Sequence, residues 1–137
     1  MKHILTRKWA LGLVALGLMV GCSQQPGPQE VATSFLQCFF AGEFIEARQY
    51  ATENLFPILD ESEAIMQELD SVEQELVRSR LRTATVKVDA PAQKSYKGDT
   101  ITLGYQVVFA EEEADAENAA ALTLIKDKKQ WRVYSLE

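Results

Sequence analysis

Histidine is nearly absent from this 137-residue sequence: the single one is His3. That excludes a Ser-His-Asp or Cys-His site and any site built on His-ligated zinc or iron from everything after the first few residues. Cysteine is almost as scarce, with Cys22 and Cys38 only, and no CxxC pair. No glycine-rich phosphate loop, internal repeat or cofactor motif is present. Long apolar runs are missing too. The longest uncharged, mostly apolar stretch is Trp9 to Gly21, thirteen residues, and a spanning helix needs about 20.

What is present begins with charge. Lys2, Arg7 and Lys8 precede that apolar stretch, and no acidic residue occurs before Glu30. A basic start, a short apolar middle and small residues at the end describe a cleaved signal. Its end, Met19-Val20-Gly21-Cys22, resembles the lipobox of bacterial lipoproteins, with Met19 where Leu is usual and Leu18 one step earlier. The resemblance implies cleavage before Cys22 and lipid on its thiol. Residues 1–21 are then a signal, 22–27 a lipidated tether and 28–137 a single domain. The tether is polar and carries Pro26 and Gly27. Extended, it reaches only about 20 Å, which keeps the domain close to the bilayer. Ser23, in place of Asp, implies outer-membrane sorting with the domain facing the periplasm where a cell has two membranes. Otherwise the expected place is the outer side of the cell membrane.

Cleavage leaves eleven basic and twenty acidic residues, a net charge of −9. Such a chain is a poor partner for nucleic acid, whose binding rests on phosphate neutralisation. Anionic lipid surfaces should repel it as a whole. Membrane association is therefore expected from acyl chains.

Helical spacing comes first in the domain. Pro28 suits a first helical turn, Val31, Phe35, Cys38 and Phe39 form one stripe, and Gly42 suits a helix end. Phe44 to Ala51 reads as a short second helix, and Pro57 interrupts the helical pattern after it. Asp60 with Glu63 has the spacing of a capping box. Ile65, Leu69, Val72 and Leu76 step as the buried seam of one helix over about residues 60–82. The period then changes to two: Val86 and Val88, Ile101 to Phe109, Leu122 and Leu124, and Trp131, Val133 and Ser135 mark four strands. Helices followed by strands predict an α+β fold, with N-terminal helices packed on one face of an antiparallel sheet.

Pro28 to Val31 with Phe35, Gly42-Glu43-Phe44 with Ala47 and Tyr50, Lys97 to Leu103, and Leu124 to Val133 together resemble small bacterial lipoproteins of the nuclear-transport-factor-like, or cystatin-like cone, superfamily. The resemblance spans nearly all of 28–137. It implies a curved antiparallel sheet wrapped on N-terminal helices, a cystatin-like cone roll with a pocket at the open end, and no particular activity. Lys129 stands where the family's last turn carries glycine, which suggests a different turn.

Candidate sites are few. Phe35, Tyr50, Leu103, Tyr105, Val107 and Trp131 are the expected pocket-lining residues, and Cys22 is the lipidation site. Cys38 reads as a buried apolar thiol. Glu111 to Glu117 reads as a solvated connection, and Arg78, Arg80 and Arg82 as cations suited to a helix C-terminus. No catalytic, cofactor-binding or metal-ligating residue is expected. The resulting expectation is a membrane-anchored envelope lipoprotein whose non-catalytic domain binds a small apolar ligand or an envelope protein. A pocket enzyme of isomerase or hydratase type, using Tyr and a carboxylate, is the alternative, and a structural assembly subunit is the third. A filled pocket with an exposed apolar patch favours assembly.

Overall fold

The computed structural model describes residues 25–110 and 120–137. Cys22 and the acidic stretch Glu111 to Glu117 lie outside the described residues. The chain opens with helix α1 (Pro28–Phe40), with Pro28 in its first turn, where the missing N–H costs nothing. It stops just before Gly42, whose φ of 80° is the left-handed conformation that ends helices. A Cβ there would meet Leu81 Cδ1 at 3.3 Å, so a later helix also packs on this corner.

Helix α2 (Phe44–Ala47) continues into a 3-10 turn, Arg48–Tyr50, and a second such turn covers Glu53–Leu55. Two helices follow, α3 (Phe56–Glu68) and α4 (Ser71–Leu81). This corrects two expectations. Pro57 opens a helix rather than interrupting one. The single helix over 60–82 is broken at Leu69-Asp70, where Leu69 turns extended (ψ 149°) and Asp70 caps a new start. The Asp70 carboxylate accepts from Glu73 N at 2.8 Å, while Asp70 N donates to Glu73 Oε1 at 3.2 Å. The capping box is therefore ten residues later than expected.

The break changes what the apolar seam does. Of its four members only Leu69 packs against the core; Ile65, Val72 and Leu76 are 57%, 68% and 66% exposed. No residue of α4 is buried. Helices α3 and α4 form an arm whose apolar surface is open.

Among the described residues, five antiparallel strands follow: β1 (Thr85–Val88), β2 (Tyr96–Lys97), β3 (Thr100–Val108), β4 (Ala120–Asp127) and β5 (Gln130–Leu136). The order is β1-β3-β4-β5, with β2 added to the far end of β3 through a two-residue turn at Gly98-Asp99. Strand β2 had no counterpart in the sequence reading; at two residues it offers no alternation to read. The fold is thus α+β, with a curled antiparallel sheet. Helix α1 lies on the sheet against β1, β4 and β5. Ile101, Leu103, Leu122, Leu124 and Val133 meet Val31, Phe35 and Leu36 there. Thr102 and Thr123, on the other face, approach at 3.2 Å in solvent.

Two irregularities are in β5. Leu124 pairs with Val133 but Thr123 pairs with Ser135, so Tyr134 is an extra residue in a bulge. The bulge turns Leu136 inward opposite Leu122, where strict alternation placed Ser135 on the Trp131 face. The β4–β5 turn keeps the two-residue form, with Lys128 at φ 53° and Lys129 at φ 69°. The expectation of a different turn is thereby corrected: both lysines adopt the left-handed conformation that glycine and asparagine favour.

Candidate functional site

The space expected inside the sheet is occupied by the protein's own side chains. Phe35 is fully buried and Leu103 is 2% exposed; both are core residues. Tyr105 and Val107 lie on the same face of β3, opposite Val88 and Val86, and are half-buried. Tyr105 borders a depression of about 160 Å³ together with Lys87, Asp89 and Gly104. Burial pushes the Tyr105 phenol up from its ordinary value, making it a weaker proton donor. Asp89 is exposed there, its carboxylate lying over Gly104, where a Cβ would meet Asp89 Oδ2 at 2.6 Å.

Tyr50 and Trp131 are brought together, in a cleft of about 380 Å³ that Gln25 and Pro26 also border. Gln25 and Pro26 form one wall, Glu30 and Ser34 of α1 another, and Gln130 to Arg132 of β5 a third. Arg132 fixes the floor: Nη1 donates to Gln49 O at 3.0 Å and Nη2 to Gln130 Oε1 at 3.1 Å. Gln29 Nε2 ties the start of α1 to the sheet through Val88 O at 2.9 Å. The cleft mixes one indole and one phenol with amides, a carboxylate and a guanidinium already in use. That composition suits contact with a polar surface better than enclosure of an apolar molecule. Glu30, Gln49, Gln130 and Arg132 escaped the sequence reading because polar residues carry no periodic signal.

A second concavity is apolar. Phe44, Ile65, Met66, Leu69, Val77 and Leu81 line a groove of about 350 Å³ between α3, α4 and the start of α2. Arg78 Nη1 reaches Gly42 O at 3.5 Å, Arg80 lies 5.1 Å from the Phe109 ring centroid, and Arg82 pairs with Glu75 at 3.3 Å. The three arginines therefore act within the fold. Hydrogen bonds from Arg82 and Ser79 hold the Glu75 carboxyl below its usual range.

Cys38 is half-buried rather than fully buried, packed beside the core on α1. Partial burial, with Glu43 and Glu46 nearby, pushes its thiol up. This is the reverse of an activated thiol. Among the described residues no cluster of three or more His, Cys, Asp or Glu could hold a metal ion, and no helix is long and apolar enough to cross a membrane. No family model, curated protein or solved structure matches this chain.

Proposed function

We propose that this protein is a lipid-anchored envelope protein whose domain holds a protein partner close to the membrane. The observation that carries the reading is the N-terminal pattern: three basic residues, thirteen residues without charge, then Met19-Val20-Gly21-Cys22 and a polar tether. Acylation of Cys22 places the domain, which begins at Pro28, within about 20 Å of the bilayer. In this reading the α+β fold is a member of the nuclear-transport-factor-like, cystatin-like cone group. The protein faces the periplasm from the outer membrane in a two-membrane cell.

A binding role is favoured over catalysis by chemistry and by packing. No histidine follows His3, Tyr105 is a weakened acid, and the inner face of the sheet is filled by Phe35, Leu103 and their neighbours. The apolar arm surface at Ile65, Val72, Leu76 and Val77 supports a protein partner over a small apolar ligand. Monomeric proteins rarely leave such contiguous patches uncovered.

The test is photo-crosslinking in intact cells from a reactive residue placed at Leu76. A discrete protein adduct that disappears on Val72→Glu is the expected result. Efficient incorporation with no protein adduct would sink the partner-binding claim.

A further inference from the structure

The point at which the tether meets the domain fixes which end of the sheet lies nearest the lipid, so this inference rests on the lipid-anchored reading. Gln25 and Pro26 border the same cleft as Gln130, Trp131 and Arg132. Cys22 precedes Gln25 by three residues, a contour of at most about 11 Å. Acyl chains on Cys22 therefore bring the bilayer surface to the β4–β5 hairpin end.

That end departs from the acidic character of the chain. Lys94 precedes β2 and Lys97 is its last residue, Lys126 lies near the end of β4, Lys128 and Lys129 form the turn, and Arg132 follows on β5. Lys126 N donates to Asp99 O at 2.8 Å, which holds the two turns side by side. Asp99 and Asp127 are the acidic residues of these turns, with Glu30 and Glu53 on the flanking walls. Among the described residues, six of the eleven basic ones that follow Gly21 thus gather where four acidic ones do, in a sequence whose net charge after Gly21 is −9. The aromatic residues there are of the interfacial kind. The Tyr96 and Trp131 rings lie 6.1 Å apart, and Lys126 Nζ is 5.7 Å from the Trp131 centroid. Trp and Tyr beside lysine favour the headgroup layer of a bilayer, where the ring meets apolar surface and the cation meets phosphate.

We infer that this end of the sheet is a membrane-apposed face that binds anionic phospholipid headgroups and orients the anchored domain. The consequence for the arm is direct. Arg78 and Leu81 pack at Gly42, beyond the C-terminal end of α1, and α1 is about 20 Å long. With its start at the bilayer, the apolar arm lies at the end of α1 remote from the lipid.

Trp131 is the only tryptophan after Trp9, so it reports on this face alone once the signal is removed. The experiment uses the full chain, processed and purified from membranes, in vesicles containing phosphatidylglycerol and brominated phospholipid. Trp131 fluorescence should be quenched and blue-shifted. The quenching should fall in high salt, and fall again in Lys126→Gln/Lys128→Asn/Lys129→Gly, which removes three charges with residues that suit the turn. This variant should stay on the vesicles through its lipid and keep its melting temperature or raise it. Trp131 left unquenched in a lipidated protein, or quenched equally in the variant, overturns this inference alone. Mass measurement showing no lipid on Cys22 overturns the anchored reading and this inference together.

Discussion

Phe35 and Tyr50 illustrate how differently two aromatic residues on neighbouring helical segments are used. Phe35 is sealed between α1 and the sheet, so Phe35→Ala should cost about 3–5 kcal/mol through lost burial and the cavity left behind. Tyr50 borders an open cleft, and Tyr50→Ala should cost well under half of that; urea unfolding of both variants checks the contrast. Lys128 and Lys129 hold a backbone conformation that disfavours a side chain by about 1–2 kcal/mol each. Lys128→Asn with Lys129→Gly should therefore raise stability by about 1 kcal/mol, an effect opposite to that of most substitutions. A pair that lowers the urea midpoint would contradict the turn geometry. Cys38 and Tyr105 both have raised pKa values. Each favours the folded state while neutral. Their contribution is complete below the ordinary thiol value, near 8.5, and is lost as pH rises through the folded values. Stability should decline above about pH 9, and Cys38 should react with a small disulfide reagent at higher pH than a free thiol does. A reaction midpoint at or below that of a free thiol would show the environment to be wrong.

Helix α4 shows where the sequence was legible and where it was not. Asp60 with Glu63 and Asp70 with Glu73 have the same spacing, and local pattern alone cannot rank them. The 4-3-4 apolar step across residues 65–76 favoured a continuous helix, so the first box was the natural choice. The extended Leu69 decides otherwise, because it re-aims everything after it and leaves Val72 and Leu76 in solvent. Exposed apolar residues obey the same periodicity as buried ones, so the pattern located a stripe without showing what faced it. Strands β1, β3, β4 and β5 were readable because alternation on a half-buried sheet is a strong constraint. The β5 bulge was not, since one extra residue at Tyr134 leaves no compositional mark. In the cleft, Tyr50 and Trp131 were legible as aromatic residues, while their polar companions depend on which loops meet. Asp70→Ala should cost about 1 kcal/mol. Because α4 has no buried residue, the loss should appear as faster amide exchange across Ser71–Leu81 with little change in the core strands. Uniform acceleration through β3 and β4 would mean that the arm is integral to the core.

The whole molecule is polarised along α1. Gln25 and Pro26, the cleft, the hairpin lysines and Trp131 lie at one end, and the open apolar arm lies at the other. A soluble domain with free rotation would gain nothing from this arrangement, whereas an anchored one presents the arm in a fixed direction. In the proposed anchored state, the acidic total of the chain would oppose nonspecific adsorption, and the basic hairpin end would select which face approaches the lipid. Cys22→Ala in the full chain should abolish processing and release the protein from the membrane fraction. The most direct test of the account is the intact mass of the wild-type protein extracted from cell membranes. The account predicts a chain that begins at Cys22 and carries a diacylglyceryl group on that cysteine. A chain that begins elsewhere, or one whose Cys22 is a free thiol, would contradict it.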